Sequence, residues 1–176
     1  MSKQLIFSGI GGQGVILAGK ILCSVAAGQG YTVSLSPAYG QEKRGGRTSC
    51  QCVLGEKIGS PVISYADVVL VMDEKSLLDY EKRVKKGGWL LINSSMVKNQ
   101  TSRTDVKIIE IPLNEIANQL GNPRTVNMVA LGAAVKCAEV LPLDKIKEQI
   151  DQQMKSSIAE VNKNAAQAGY EYAANI

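Results

Sequence analysis

Apolar positions along this chain follow two rhythms. Short continuous runs have the length of strands: Gln4-Leu5-Ile6-Phe7-Ser8, Val68-Val69-Leu70-Val71-Met72 and Trp89-Leu90-Leu91-Ile92-Asn93. The second and third carry no polar alternation, the pattern of strands buried on both faces of a parallel sheet. Tyr31 to Ser36, Thr48 to Leu54 and Val106 to Ile111 read as further strands, the last with partial alternation that suits an edge. Between them lie three- and four-residue spacings. Ala18, Ile21, Leu22, Val25 and Ala26 mark one helix, and Ile116, Ala117 and Leu120 a short one over residues 114 to 120. A helix over Lys75 to Val84 ends in Lys82, Arg83, Lys85 and Lys86 before Gly87-Gly88, where cations complement the helix C-terminus and glycine stops it.

Two stretches leave alternatives open. From Met128 to Val140 the helical pattern is apolar nearly all round, with only Lys136 and Glu139 charged, so either a partner subunit or the core of the domain covers it. In the tail, Leu143, Ile146, Ile150, Met154, Ile158 and Val161 fit one long helix or two broken near Ser156-Ser157. No repeat or low-complexity linker divides the 176 residues, which predicts a single α/β domain over 1–176.

Gly9, Gly11 and Gly14, with Gly12 and Gln13 between them, stand in G-x-G-x-x-G spacing between the first strand and the first helix. Glycine permits a tight turn and a close approach of another backbone or a phosphate, and the helix amides favour an anion. A dinucleotide site also needs an acidic residue after the second strand, or a basic one for a 2′-phosphate. That strand ends in Ser34-Leu35-Ser36 before Pro37, so strand–helix packing or a protein contact is favoured over a nucleotide. Pro37 to Arg47 then combines Tyr39 and Gly40 with Glu42, Lys43, Arg44, Gly45, Gly46 and Arg47. Tyrosine and arginine are favoured anchors of interfaces, so this reads as a binding loop rather than an idle one. Asp73 follows the apolar run that ends at Met72, where α/β sheets open ligand crevices, but it reads first as a helix N-cap.

Composition narrows the chemistry. There is no histidine, which removes the commonest general base and metal ligand. Cys23, Cys50, Cys52 and Cys137 show no C-x-x-C spacing, so zinc or an iron–sulfur cluster in this chain is not expected, and Cys50 and Cys52 read as small core residues. A net charge of +4 suits an anionic partner, while one Phe and one Trp offer few platforms for stacking nucleic-acid bases. Neither a signal peptide nor a bilayer-spanning run is evident, which predicts a cytoplasmic chain without membrane or nucleic-acid partners.

Three blocks carry a family resemblance: Gly9-Ile10-Gly11-Gly12-Gln13-Gly14-Val15-Ile16-Leu17-Ala18-Gly19-Lys20, then Tyr39-Gly40-x-Glu42-x-Arg44-Gly45-Gly46, then Ile58-Gly59-Ser60-Pro61 followed by Asp67. The chain resembles the gamma subunit of 2-oxoacid:ferredoxin oxidoreductases over nearly its whole length. Asn93-Ser94-Ser95, Ile111-Pro112 with Glu115-Ile116-Ala117, and Leu120-Gly121-Asn122 with Asn127-Met128-Val129-Ala130-Leu131-Gly132 are most similar to the 2-oxoglutarate type. Pyruvate, branched-chain and indolepyruvate enzymes share the first three blocks.

The resemblance implies a three-layer, mostly parallel Rossmann-like sheet with helices on both faces. It implies a complex that oxidatively decarboxylates a 2-oxoacid with coenzyme A and reduces ferredoxin. Thiamine diphosphate, magnesium and [4Fe-4S] clusters belong to the alpha and beta partners, with a delta chain as a further candidate, and none to this chain. The expected docking surface is the glycine turn together with Tyr39, Gly40, Glu42, Arg44, Gly45, Gly46 and Arg47; Lys43, Arg44 and Arg47 are expected to lend positive potential near the path of coenzyme A, whose phosphates are anionic. Asp73 and Asn127 are secondary candidates. Alone, the chain is open to homodimer formation. The competing readings are a stand-alone nucleotide-binding regulator and a structural assembly protein.

Overall fold

The computed structural model describes residues 2–41 and 45–176. The chain runs β1 (Ser2–Ile10), α1 (Val15–Gly28), β2 (Thr32–Tyr39), β3 (Arg47–Gly55), β4 (Ala66–Val71), α2 (Glu74–Tyr80), β5 (Val84–Asn93), β6 (Lys107–Ile111), α3 (Leu113–Gln119), α4 (Val126–Ala138), α5 (Leu143–Gln153) and α6 (Ser156–Ala174). One sheet takes the strands in the order β2-β3-β1-β4-β5-β6. β1, β4, β5 and β6 are parallel neighbours, and β3 runs antiparallel between β2 and β1. The sheet is therefore mostly parallel, as expected. The insertion of β3 also keeps β2 from lying beside β1, so the end of β2 is one strand further from the glycine turn than a dinucleotide-binding unit requires.

Pleating divides the core. Leu5 and Phe7 of β1, Val68 and Leu70 of β4, Leu91 and Ile109 face one side, which α1, α3, α4, α5 and α6 cover. Ile6, Val53, Val69, Val71, Leu90 and Ile92 face the other, where Leu77 of α2 and the loop residues Ile63 and Val97 close over them. The three layers are thus uneven. One short helix and two loops suffice on the second face because β6 leaves Ile108 and Glu110 there in solvent.

Several boundaries differ from the sequence reading. β2 continues through Pro37 to Tyr39; it is an edge strand, so the missing N–H disrupts no central ladder. The helix expected over Lys75–Val84 stops at Tyr80 and a 3-10 turn spans Glu81–Arg83. Val84 already pairs with Ala66, so Lys85 and Lys86 stand at the start of β5, not in a helix terminus. An irregularity that includes Gly87 at φ +76° then shifts the register before Trp89 pairs with Val68.

The chain itself covers α4. Every residue from Val126 to Ala138 except Lys136 is buried, against α1, α3, α5 and above all α6. That settles the alternative in favour of a core helix, with no partner required. The tail breaks at Met154-Lys155 into α5 and α6. The seam of α6 is made by Ala159, Ala165, Ala166, Gly169 and Ala173, whereas Ile158 is exposed and Val161 only half-buried. Small residues bring the two backbones together. A Cβ on Gly132 would lie 2.8 Å from the Ala166 carbonyl carbon, and one on Gly169 would lie 2.7 Å from that of Val129.

Candidate functional site

The site begins where β1 ends. Gly9 is packed from three sides: a Cβ there would meet the Gln13 amide oxygen and lie 3.1 Å from Met72 Cβ. Gln13 folds back over the turn and accepts a hydrogen bond from Ile10 N at 2.8 Å, while its own N donates to Ile10 O at 3.2 Å. Gly12 and Gly14 have φ of +95° and +74°, backbone that other L-residues resist. Gly14 caps α1 with no side-chain bond, and its carbonyl accepts from Asn127 Nδ2 at 3.2 Å. A Cβ on Gly14 would lie only 2.5 Å from that nitrogen. Asn127, on the first turn of α4, therefore fills the space beside the helix N-terminus.

The second segment meets this turn directly. Gly11 N donates to Gly46 O at 2.8 Å, and Gly40 N donates to Arg47 O at 2.6 Å at the neck of the β2–β3 connection. A Cβ on Gly11 would be 3.8 Å from Gly45 N and from Gly46 O. Gly46 is buried, whereas Gly11, Gly12, Gly40, Gly45 and Arg47 are exposed. Tyr39 is 72% exposed, an unusual cost for an aromatic side chain. Arg47 pairs with Asp79 of α2 at 3.0 Å, a partly exposed pair of small energetic weight. Ala38, Tyr39, Arg47, Ser49 and Tyr80 line a cleft of about 190 Å³ beside it, and Tyr80 Oη donates to Ser49 Oγ at 2.9 Å. Glu42, Lys43 and Arg44 lie outside the described residues.

Asp73 is buried and caps α2, accepting from Lys75 N at 3.0 Å, Ser76 N at 3.1 Å and Ser76 Oγ at 2.9 Å. Ser76 in turn accepts from Ser8 Oγ at 3.0 Å, so the carboxylate's partners are internal and its role is to start the helix. Removing it as Asp73→Ala is expected to lower stability by about 1–2 kcal/mol, read as a reduced midpoint in urea unfolding with unchanged slope. Asp67 lies at the opposite end of the sheet, where it accepts from Gln4 N at 2.7 Å and pairs with Lys85 at 3.0 Å.

The cysteines are core residues. Cys50 and Cys52 pack under Gly19, where a Cβ would be 3.1 Å from the Cys52 sulfur. Hydrogen bonds with the Cys23 and Cys50 thiols, and burial, push the Cys52 thiol well up. Burial pushes Cys137 up to about 12. Cys23, Cys50 and Cys52 gather in the core, but among the described residues no group of His, Cys, Asp or Glu side chains is arranged to hold a metal ion.

The structure brings together the glycine turn, the Gly45–Arg47 segment and Asn127, and sets Asp73 apart in a capping role. Sequence reasoning missed Asp79. It lies 32 positions from Arg47, and no local signal couples them.

A family model described as pyruvate ferredoxin/flavodoxin oxidoreductase matches residues 4–172. The ketoisovalerate oxidoreductase subunit VorA of Methanothermobacter thermautotrophicus is 34% identical over 170 residues, covering 94% of this chain and 35% of that protein. This chain thus spans about a third of that relative's length. The 2-oxoglutarate synthase subunit KorC of Methanocaldococcus jannaschii is 30% identical over 177 residues, covering 98% and 95%. The crystal structure of a keto/oxoacid ferredoxin oxidoreductase gamma subunit from Geobacter sulfurreducens superposes with a TM-score of 0.88 at 28% identity, covering 99% and 98%. Among the described residues no helix is long and apolar enough to cross a membrane.

Proposed function

The chain belongs to the pyruvate ferredoxin/flavodoxin oxidoreductase family, and from that premise we propose that it is the gamma subunit of a 2-oxoacid:ferredoxin oxidoreductase of the 2-oxoglutarate type, working in the cytoplasm. In the complex a 2-oxoacid is oxidatively decarboxylated with coenzyme A, and ferredoxin takes the electrons. Bond-making belongs to the alpha and beta partners, with thiamine diphosphate, magnesium and iron–sulfur clusters in their keeping. The near-complete mutual coverage of this chain and the KorC relative supports the 2-oxoglutarate assignment. A branched-chain 2-oxoacid is the second reading, favoured by the similarity to a ketoisovalerate oxidoreductase subunit.

What this chain supplies is a surface. The observation that carries it is the Gly11 N to Gly46 O bond, which joins the glycine turn and the β2–β3 connection into one exposed face next to Tyr39. Asn127 occupies the space beside the α1 N-terminus, which favours protein docking over a free nucleotide. Arg47, and Arg44 by its place in the same connection, add cations that suit an acidic partner surface and the coenzyme A phosphates.

The test is a reconstituted complex carrying Arg44→Ala and Arg47→Ala together. The expected result is subunit association or the KM for coenzyme A worsened about fivefold or more, the loss that follows truncation of interface arginines that act as anchors. If neither changes, the docking assignment fails. Turnover of 2-oxoglutarate against 3-methyl-2-oxobutanoate in the wild-type complex separates the two substrate readings.

A further inference from the structure

The cations that the helix-terminus reading accounted for lose that explanation in the fold. Lys85 and Lys86 open β5, and Lys82 sits in the 3-10 turn before it. All three line a cleft of about 590 Å³ walled by Tyr65, Val84 and Arg103, with Asp105 on its rim. A second cleft of about 240 Å³ adjoins it, sharing Lys85 and Lys86 and adding Lys3, Trp89 and Lys107. Both lie at the amino ends of β1, β4, β5 and β6, the end of the sheet away from the glycine turn, roughly 25 Å distant along a nine-residue strand.

The charge there is lopsided. Lys3, Lys82, Lys85, Lys86, Arg103 and Lys107 line the two clefts. Against them stand Asp67, Asp105 and Glu139, a surplus of three in a chain whose whole net charge is +4. Arg103 is held by Asp105 at 2.6 Å and donates to Glu81 O and Val84 O, and Lys85 is held by Asp67 at 3.0 Å. Lys107 lies over the Trp89 ring at 4.8 Å. Among the described residues neither Lys82 nor Lys86 makes an ion pair, and both are exposed. Beside them Tyr65 is 59% exposed and walls the larger cleft.

The geometry points to a second protein-docking surface, taking an acidic segment whose apolar or aromatic side chain enters the Tyr65–Val84 cleft while its carboxylates meet Lys82 and Lys86. Charge complementarity selects the occupant: positive rims steer negative segments, and the apolar stems and ring give them an anchor. Two adjoining clefts that share Lys85 and Lys86 suit an extended chain better than a compact small molecule. This surface is independent of the assembly face, and nothing in it rests on the gamma-subunit reading.

The probe is a fluorescein-labelled peptide of Asp and Glu with one central Phe, titrated with the full chain and followed by anisotropy. Expected are saturable binding, an affinity about tenfold weaker in Lys82→Glu/Lys86→Glu, and weakening as salt rises from roughly 50 mM to roughly 0.3 M and the Debye length shortens. Replacing the Phe by Ser in the peptide is expected to reduce binding further. Should the double reversal disturb the melting curve, Lys82→Gln/Lys86→Gln decides instead. Equal binding by wild type and variant overturns the proposal. So does ATP, or a phosphatidylserine vesicle, binding at lower concentration than the peptide.

Discussion

A single methyl group at Gly132 or Gly169 is expected to lower the stability of this fold by about 3 kcal/mol, the upper part of the range for overpacked cores. The melting temperature then falls by about 6–12 °C for a domain of this length. The reason is what the added atom meets. At Gly132 it lies 2.8 Å from the Ala166 carbonyl carbon and 3.0 Å from its Cα, with the carbonyl oxygen nearer still. Gly169 meets the Val129 backbone in the same way. A side chain can rotate out of such a contact, but a helix backbone can yield only by moving the whole of α6 off α4. That movement would loosen the packing of Ala165, Ala166 and Ala173, which are buried at that seam. The two sites share one interface, so the double variant should lose less than the sum of the singles. Gly28→Ala is the control: nothing lies within 4 Å of a Cβ there, and the change should be neutral or slightly stabilising. Thermal melts by circular dichroism read the four variants against the wild type. A Gly132→Ala protein that melts with wild type would show that the α4–α6 crossing is looser than described.

Gly14→Ala is the second large effect, expected at about 2–3 kcal/mol, because two penalties coincide there. Alanine in left-handed backbone costs about 1–2 kcal/mol, and Gly14 has φ +74°. Its new Cβ also collides with Asn127, whose Nδ2 would be 2.5 Å away. Asn127→Ala alone loses the hydrogen bond to Gly14 O, about 1 kcal/mol. In the double variant the collision is gone, and the backbone strain and the lost hydrogen bond remain. The double should therefore be more stable than the two single losses added together. Denaturant unfolding of the four-member cycle measures the difference. Strict additivity would mean that Asn127 does not pack on the turn. Because Gly11 donates to Gly46 from the same turn, Gly14→Ala should also weaken assembly with partner subunits beyond its effect on melting.

Local pattern carried much of this molecule. Val68–Val71 had the uninterrupted apolar character of a strand covered on both sides, and β4 is that strand, paired in parallel with β1 and β5. Asp73 before Glu74 announced a helix start, and its carboxylate accepts two backbone amides there. Gly9, Gly11 and Gly14 announced a turn with close approaches, and the conformations and contacts of that turn are of this kind. These features lie within a few residues of one another, so spacing and side-chain chemistry suffice to reveal them.

What the sequence by itself determined is the strands, most of the helices, the glycine turn, the α/β class and the family resemblance. Periodicity, glycine tolerance and capping are properties of short segments. Only the tertiary structure decided the neighbours: β3 between β1 and β2, α6 rather than a partner over α4, Asp79 beside Arg47, and Lys85 and Lys86 on a strand rather than a helix end. Those depend on contacts tens of residues apart. There the same apolar face or the same lysine has several places it could go, and the mutual burial of the whole chain selects one.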